Sequence, residues 1–343
     1  MAVISSTTHK SDGSVEEEQL FVSLRAKVWN EFTGQQRIKD ALRIAISASK
    51  QRKEALDHVL FYGPPGLGKT TLAHIVAAEM GVNIRVTSGP TLARAGDLAA
   101  ILTNLEAKDV LFIDEIHRLN KYVEETLYPA MEDFALDIIL GKGPSAKTLR
   151  IDLPPFTVIA ATTRIGMLSA PLRDRFGRTH RLSFYEIPQL VSIIETAAQK
   201  LQMTIDRKTT IELAGRCRGT PRIGLKLLKR VRDMAQISGQ INITSAHLEK
   251  TFKLMDIDQM GLDDNDRRFM FSIIDKHNGG PVGLETIAAT MSEDIGTIEE
   301  VIEPYLLQMG FLKRTARGRV ATNHAYKYFN KNIPAHLTQP GLF

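Results

Sequence analysis

The sequence predicts an α/β core whose parallel sheet carries helices on both faces, followed by a small helical domain and a C-terminal winged helix. Three observations lead to this order. Short apolar runs alternate with helical patterns in the first half, helices alone follow, and a basic hairpin closes a helix-turn-helix pattern near the end. A chain of 343 residues is long enough for two or three domains.

The expected domain boundaries lie where these patterns change. The polar stretch 1–19 is predicted to be disordered, because it has little apolar surface to bury. The α/β core is then expected at 20–182, the small helical domain at 183–262 and the winged helix at 263–330, with a tail at 331–343.

Composition indicates an ordinary globular protein of the cytoplasm. Hydrophobic residues make up 43% of the chain and charged residues 24%, and no apolar run approaches the ~18 residues of a membrane span. The N-terminus lacks the apolar core of a signal peptide. Cys217 is the only cysteine, which excludes an intrachain disulfide and fits a reducing compartment. The net charge of +5 permits a polyanionic partner without requiring one.

Residues 63–70, Gly-Pro-Pro-Gly-Leu-Gly-Lys-Thr, fit the phosphate-binding loop pattern GxxxxGK[ST]. An apolar strand at Val59–Tyr62 precedes the motif and a helix over 70–80 follows it, so a chance glycine-rich turn is a poor alternative. Lys69 is expected to reach the β- and γ-phosphates, and the Thr70 hydroxyl is expected to hold Mg²⁺. The glycines that would let the backbone wrap an anion are Gly63, Gly66 and Gly68.

Two further apolar strands end in polar residues that suit the same site. The run 110–113 ends in Asp114 and Glu115, which we expect near Mg²⁺ and the attacking water; a helix cap is the alternative. The run 158–161 ends in Thr162 and Thr163, where a hydroxyl can sense the γ-phosphate. Since ligands bind at the carboxyl ends of parallel strands, the three motifs together predict a site of triphosphate hydrolysis.

Three other features leave alternatives open. Residues 135–153 predict a β-hairpin that is either packed on its own domain or a protein-docking arm. Arg175 lies in the cluster Arg173-Asp174-Arg175, which suits either a surface ion-pair cluster or an arginine finger offered to a neighbouring subunit. Arg222 near a helix start suits either an exposed side chain or a phosphate ligand.

The C-terminal pattern separates acidic from basic residues. The candidate recognition helix, 295–308, contains Glu299, Glu300 and Glu303 and no Lys or Arg, so phosphates are expected to repel it. The hairpin after it is basic, which predicts DNA contact through the wing and the phosphate backbone, without sequence reading. A protein-binding winged helix is the alternative. The basic residues of the hairpin are Lys313, Arg314, Arg317 and Arg319.

Together these segments resemble the RuvB family, the AAA+ motors of bacterial Holliday-junction branch migration. The resemblance runs from about residue 20 to residue 329, nearly the whole chain. The segments that carry it most specifically are 63–71, 111–119, 161–164, 171–177, 218–222 and 314–319.

The resemblance implies roles for individual residues. Thr163 matches the sensor-1 position, Arg175 the trans-acting finger and Arg222 the sensor-2 arginine. Arg314 and Arg319 match wing positions that touch DNA, with Lys313 and Arg317 beside them. The other positions that match the nucleotide pocket are Leu24, Arg25, Thr71, Glu132, Asp133, Phe134 and Tyr185.

The resemblance also implies a machine and its partners. Such a protein hydrolyses ATP with Mg²⁺, which Thr70 binds directly and Asp114 through water. It forms homohexameric rings around the double-stranded arms of Holliday junctions, docks on RuvA through the 135–153 hairpin and works with the RuvC resolvase in recombination, DNA repair and the SOS response. Two alternatives remain from the residues: another AAA+ DNA machine, such as a clamp loader or initiator, and a nucleotide-gated DNA-binding scaffold without motor output.

Overall fold

The structure, a computed structural model, describes residues 22–140 and 147–334. The tail predicted to be disordered, 1–19, lies outside the described residues, as does 335–343 of the C-terminal tail. The chain divides into two compact units. Within the described residues, the first unit comprises 22–62, 68–140, 147–181 and 195–202, and the second comprises 63–67, 182–194 and 203–334.

The first unit is built on a five-stranded sheet, whose strands are β1 (Val59–Tyr62), β2 (Ile84–Ser88), β3 (Val110–Asp114), β6 (Thr157–Thr162) and β7 (Arg178–Arg181). Their order in the sheet is β2-β3-β6-β1-β7, and every neighbouring pair is parallel, as the sequence predicts. Every residue of β6 is buried, which is typical of a central parallel strand covered on both faces. Its neighbour β3 pairs with it up to Ile113 and Ala160, so both strands end at one edge of the sheet.

Between β3 and β6 the chain forms an antiparallel hairpin of β4 (Ala135–Leu140) and β5 (Lys147–Asp152). The base of the hairpin is anchored in the core, since Leu136 in β4 is 0% exposed and Leu153, just after β5, is 7% exposed. Farther along β5, Leu149 is 47% exposed. The base therefore belongs to the first unit, while an apolar side chain faces solvent beyond it.

The helices of this part begin and end close to the predicted positions. The helix predicted over 98–105 is Ala95–Leu102 instead, because Asp97 closes a capping box with the backbone of Arg94. The helices between residue 36 and β7 are Gln36–Arg52, Lys69–Met80, Ala95–Leu102, Lys121–Glu132 and Ala170–Asp174.

Beyond β7 the chain is mainly helical. A small parallel pair, β8 (Thr204–Ile205) and β9 (Asn242–Ile243), joins the helices that surround it. The helices of this stretch are Ile187–Lys200, Arg207–Gly215, Pro221–Ile237 and Ser245–Leu254. Among the described residues, no helix has the length and apolarity needed to span a membrane.

The last part of the second unit is the winged helix. Its wing is an antiparallel hairpin of β10 (Leu312–Thr315) and β11 (Gly318–Ala321), and Val282 pairs with Arg319 along the free edge of β11. The predicted helix 295–308 is not regular, because Ile298–Ile302 is π-helical. The other helical segments are Asp264–Phe271, Ser272–Lys276 (π-helical), Leu284–Met291, Ile295–Thr297, Glu303–Gln308 and Asn323–Tyr328.

Candidate functional site

The loop between β1 and the helix Lys69–Met80 has a backbone that only glycine adopts readily. Gly63, Gly66 and Gly68 have φ values of 137°, 79° and 98°. A Cβ atom on Gly63 would stand 2.6 Å from the carbonyl oxygen of Leu182, and one on Gly66 would stand 2.9 Å from Cβ of Arg222. Larger side chains would therefore clash, and the loop keeps the open curve that binds phosphate.

Residues far along the chain hold this loop. The Tyr185 hydroxyl donates to the Leu67 carbonyl over 3.1 Å, and the Tyr185 amide donates to the Gly219 carbonyl over 2.8 Å. The Arg222 amide lies 3.4 Å from the Gly66 carbonyl, while its side chain is exposed. Tyr185 is itself buried. Two residues that the resemblance places at the nucleotide thus contact the backbone of the loop.

Lys69 begins its helix with a buried side chain, 8% exposed. Burial lowers the pKa of Lys69 to about 8, and the charge of Asp114 acts against this effect. Asp114 ends β3, where its Oδ1 accepts a hydrogen bond from the Glu115 amide over 2.9 Å. A buried ammonium is favourable where anions surround it, and a bound triphosphate would supply them.

The adjacent ends of β3 and β6 present the other predicted groups. Thr163 Oγ1 is buried and has no hydrogen-bond partner among the described residues. Thr162 Oγ1 lies 3.0 Å from Nδ1 of His117. Glu115 has a left-handed backbone, with φ of 48°, and its carboxylate accepts a 3.0 Å bond from Arg118. A buried hydroxyl without a partner, at the end of the strand next to the one that ends in Asp114, is the arrangement that a phosphate and its attacking water would complete.

The residues present fit a nucleotide that brings Mg²⁺ with its phosphates. The described residues contain no cluster of three or more His, Cys, Asp or Glu side chains that could hold a metal alone. The nearby oxygen donors are the Thr70 hydroxyl and the Asp114 carboxylate. Mg²⁺ is commonly bound by one or two protein oxygens together with phosphates and water, so this donor set suits it.

Arg175 docks on its own subunit. Its Nη1 donates to the Pro171 carbonyl over 2.7 Å, and its Nη2 donates to Glu132 over 3.0 Å. The guanidinium carbon lies 4.1 Å from the ring centroid of Tyr128, while Nε is buried without a partner in the part of the chain that is described. The side chain is 19% exposed, so its guanidinium is held flat in a defined place.

The remaining positions that the resemblance implies lie in separate surroundings. Leu24 is buried. Burial lowers the pKa of His74, and the positive charge of Arg25 lowers it further. Asp133 accepts a 3.1 Å bond from an arginine of β5. Phe134 has a left-handed backbone and packs edge-on against Phe156. Thr71 lies half-buried in the first turn of the helix Lys69–Met80.

The wing corrects one expectation from the sequence. Glu303 does not present its charge to a groove, since it is 0% exposed and binds two wing arginines, Arg314 and Arg319. Only Glu299 and Glu300 of the three acids remain partly exposed. The other basic wing residues, Lys313 and Arg317, are exposed.

Pattern reasoning missed a buried ion pair in the second unit. Arg218 Nη2 donates to Asp266 Oδ1 over 2.9 Å, and the guanidinium carbon lies 4.8 Å from the ring of Tyr305. The two side chains are 9% and 1% exposed. Burial raises the pKa of Asp266 to about 7 against the opposing charge of Arg218. No local sequence pattern marks this pair, because Asp266 lies 48 residues beyond Arg218 in the chain. In the structure Arg218 has a left-handed backbone, with φ of 54°, which is unusual for an arginine.

A phosphate loop, an acid-ended strand beside a hydroxyl, a helical segment and a basic wing define a P-loop ATPase with a winged helix. Three family models match consecutive stretches of the chain. They describe the P-loop domain of the Holliday junction DNA helicase RuvB at residues 24–182, the RuvB AAA lid domain at 185–258 and the RuvB C-terminal winged helix domain at 259–330. The chain therefore belongs to the RuvB family of Holliday junction DNA helicases.

Solved structures agree. The chain is 50% identical to Thermotoga maritima RuvB, described as a Holliday junction branch migration motor, with a TM-score of 0.83 over 91% of this chain and 100% of that chain. Two substituted variants of the Thermotoga maritima protein give 50% and 51% identity and a TM-score of 0.84. They cover 91% and 90% of this chain, and 99% and 100% of theirs.

Family membership confirms the predicted fold class and activity. The chain is an ATPase and DNA helicase of the RuvB type, a motor of Holliday-junction branch migration. This excludes both alternatives that the residues left open, the clamp loader or initiator and the scaffold without motor output.

Proposed function

We propose that the chain converts the hydrolysis of ATP, with Mg²⁺, into movement of duplex DNA through a ring of six copies. The observation that supports this most directly is the buried Lys69 near Asp114, at the sheet edge where Thr163 has an unpaired hydroxyl. Together they form a preorganised place for a phosphate, and phosphoryl transfer depends chiefly on positioning and charge stabilisation.

In the proposed hydrolysis each residue has a separate role. Lys69 binds the β- and γ-phosphates, and Glu115 polarises the attacking water, which Thr163 helps to orient. Thr70 and Asp114, the latter through water, would hold Mg²⁺, whose charge would offset that of the phosphates. Because Arg118 binds the Glu115 carboxylate here, Glu115 must exchange this exposed pair for the water.

The neighbouring subunit and the helical segment complete the proposed site. Arg175 offers its guanidinium to the γ-phosphate of the next protomer. Arg222 couples phosphate loss, after ATP hydrolysis, to movement of the helical segment. Leu24, Arg25 and Tyr185 form the nucleotide pocket. Glu132, Asp133 and Phe134 also belong to it, and the contact between Glu132 and Arg175 supports placing them beside the finger.

The wing would contact DNA through its phosphates. Arg314 and Arg319 lie opposite each other in the hairpin, and Lys313 and Arg317 are exposed beside them. Since phosphate contacts carry no base information, the ring can move along any sequence. The proposed partners are RuvA, bound through the hairpin at 135–153, and the RuvC resolvase, in the cytoplasm.

The first experiment replaces Glu115 by Gln. We expect ATP turnover to fall roughly 10²-fold or more, because the amide no longer polarises water, while ATP affinity stays within about threefold. Turnover and nucleotide binding are measured on the full chain with four-way junction DNA. Glu125→Gln, the same change at an exposed glutamate that pairs with Lys121, is the matched control and should keep full turnover. Junction unwinding that survives Glu115→Gln would contradict the proposed role of Glu115 in activating water.

A second experiment tests the docking arm. Residues 138–149 are replaced by Asn-Gly, a two-residue hairpin turn, which keeps the buried Leu136 and Leu153 in place. We expect basal ATPase activity to remain and stimulation by RuvA to be lost, because the exposed Leu149 goes with the arm. Leu149→Ala, which keeps the arm, should lower the stimulation partially. Unchanged stimulation in the shortened variant would place the RuvA contact elsewhere.

A further inference from the structure

Two arginines of the wing share one buried carboxylate. Arg314 donates to Glu303 through Nε over 2.8 Å and through Nη2 over 2.6 Å. Arg319 donates to the same two oxygens through Nε over 3.0 Å and through Nη2 over 3.3 Å. Glu303 begins the helix Glu303–Gln308, so the carboxylate ties the wing to that helix.

The arrangement resolves an electrostatic conflict within the hairpin. Arg314 and Arg319 are directly opposite each other in the β10–β11 register, where like charges destabilise a sheet. Burial alone would raise the pKa of Glu303, but the hydrogen bonds and charges of Arg314 and Arg319 outweigh it and hold that pKa low. Glu303 therefore stays ionised and serves as the counter-ion of both arginines.

Each guanidinium binds Glu303 along one edge, and Nη2 of Arg319 also lies 3.9 Å from a carboxylate oxygen of Glu299. Nε and Nη2 face Glu303, and within the described part of the chain neither Nη1 has an acceptor. Arg314 is 52% exposed and Arg319 is 17% exposed. The backbone beneath Arg319 is also fixed, since its amide and carbonyl both pair with Val282. The second edge of each planar group therefore has a set direction in space.

We propose that Glu303 is a positioning residue for DNA, which holds Arg314 and Arg319 so that their remaining edges meet phosphates of the duplex. The inference rests on the proposed DNA contact of the wing and adds to it the residue that orients that contact. Because the arginines are ordered before DNA arrives, less side-chain freedom is lost on binding.

The affinity of Glu303→Gln for DNA distinguishes a positioning role of Glu303 from a role in charge alone. If the carboxylate only offsets positive charge, then Glu303→Gln adds one net positive charge to the wing, and DNA should bind more tightly with a steeper salt dependence. If Glu303 positions the arginines, the same variant should bind DNA roughly tenfold more weakly. Its salt slope should then fall by about 0.9, as for one lost phosphate contact.

Glu303→Asp keeps the charge and withdraws the carboxylate by one methylene. Positioning predicts weaker DNA binding for this variant too, whereas a pure charge effect predicts none. The matched controls are Glu300→Gln and Glu300→Asp. They make the same changes at a partly exposed residue of the π-helical segment Ile298–Ile302, which ends just before Glu303. These controls should bind DNA as the parent does, or slightly more tightly for the amide.

The experiment measures duplex affinity of the full chain against salt concentration on two unrelated sequences, with ATPase activity without DNA as a check on folding. Weaker binding and a lower slope for both Glu303 variants support the proposal. Unchanged or tighter binding overturns it. Glu303→Gln is also added to a variant that carries Arg314→Ala and Arg319→Ala. If Glu303 acts by positioning these arginines, it should cause no further loss of DNA affinity in that variant. A further loss as large as in the parent protein contradicts the proposal. If the arginine variants alone leave affinity unchanged, the DNA contact of the wing itself fails.

Discussion

Replacing Arg175 by Ala is expected to lower ATP turnover by roughly 10³–10⁵-fold, the usual effect of removing an arginine finger. The guanidinium is held between the Glu132 carboxylate, the Pro171 carbonyl and the face of Tyr128, so its planar shape matters as well as its charge. Arg175→Lys should therefore restore little activity, since an ammonium offers no planar fork. Arg173→Ala, on the short helix Ala170–Asp174 that ends just before Arg175, is the matched control and should retain turnover within a few-fold.

Mixing two inactive variants tests whether Arg175 acts on a neighbour. In a ring of equal amounts of Arg175→Ala and Glu115→Gln subunits, some sites combine an intact Glu115 with an intact Arg175 from the adjacent subunit. Random head-to-tail assembly restores roughly a quarter of the sites. Recovered turnover in the mixture, measured against each variant alone, is the expected result. A mixture as inactive as its components would show that Arg175 serves its own subunit.

Replacing Arg218 by Ala is expected to destabilise the protein by about 3–5 kcal/mol, because Asp266 is left buried without its partner. Urea denaturation followed by circular dichroism measures the loss. Arg267→Ala is the control, since Arg267 pairs with an aspartate that is 72% exposed, and it should change stability by about 1 kcal/mol or less.

The effect of Arg218→Ala should depend on pH in a defined direction. Burial already raises the pKa of Asp266 to about 7, and loss of the cation raises it further. The folded state then binds a proton that the unfolded chain releases above about pH 4, so stability falls as pH rises, by up to ~1.4 kcal/mol per pH unit. Measurements at pH 5 and pH 8 should show the larger deficit at pH 8. Adding Asp266→Asn should remove that difference; a deficit independent of pH would exclude the ion pair as its cause.

Much of the fold follows from local sequence patterns, and the exceptions have physical causes. The helix Gln36–Arg52 and the apolar strands β1, β3 and β6 lie where periodicity predicts them. β7 was missed because it contains two arginines, a histidine and a threonine, and its burial alternates between half-buried and exposed, as in an edge strand. The π-helical turn at Ile298–Ile302 leaves no mark in a 3.6-residue pattern.

The predicted site illustrates the same division. Motif spacing indicates Lys69 and Asp114, because a phosphate loop and an acid-ended strand have recognisable neighbours in sequence. Partners brought together by tertiary structure have no such signal. The platform of Tyr128 beneath Arg175 and the pairing of Glu303 with two wing arginines depend on side-chain directions that no local pattern encodes. Glu303 shows the consequence, since in sequence it looks like one more surface acid.

The Tyr185 hydroxyl ties the phosphate loop to a residue far along the chain. It binds a carbonyl 118 residues away in sequence, and the loop residues Gly63–Leu67 group with the second unit, while the strand before them and the helix after them group with the first. From Leu67 the contacts run through Tyr185 to Gly219. The adjoining Arg218 binds Asp266 in the helix Asp264–Phe271, the first helix of the winged helix. The phosphate loop is therefore held by contacts that continue, within the second unit, as far as the winged helix.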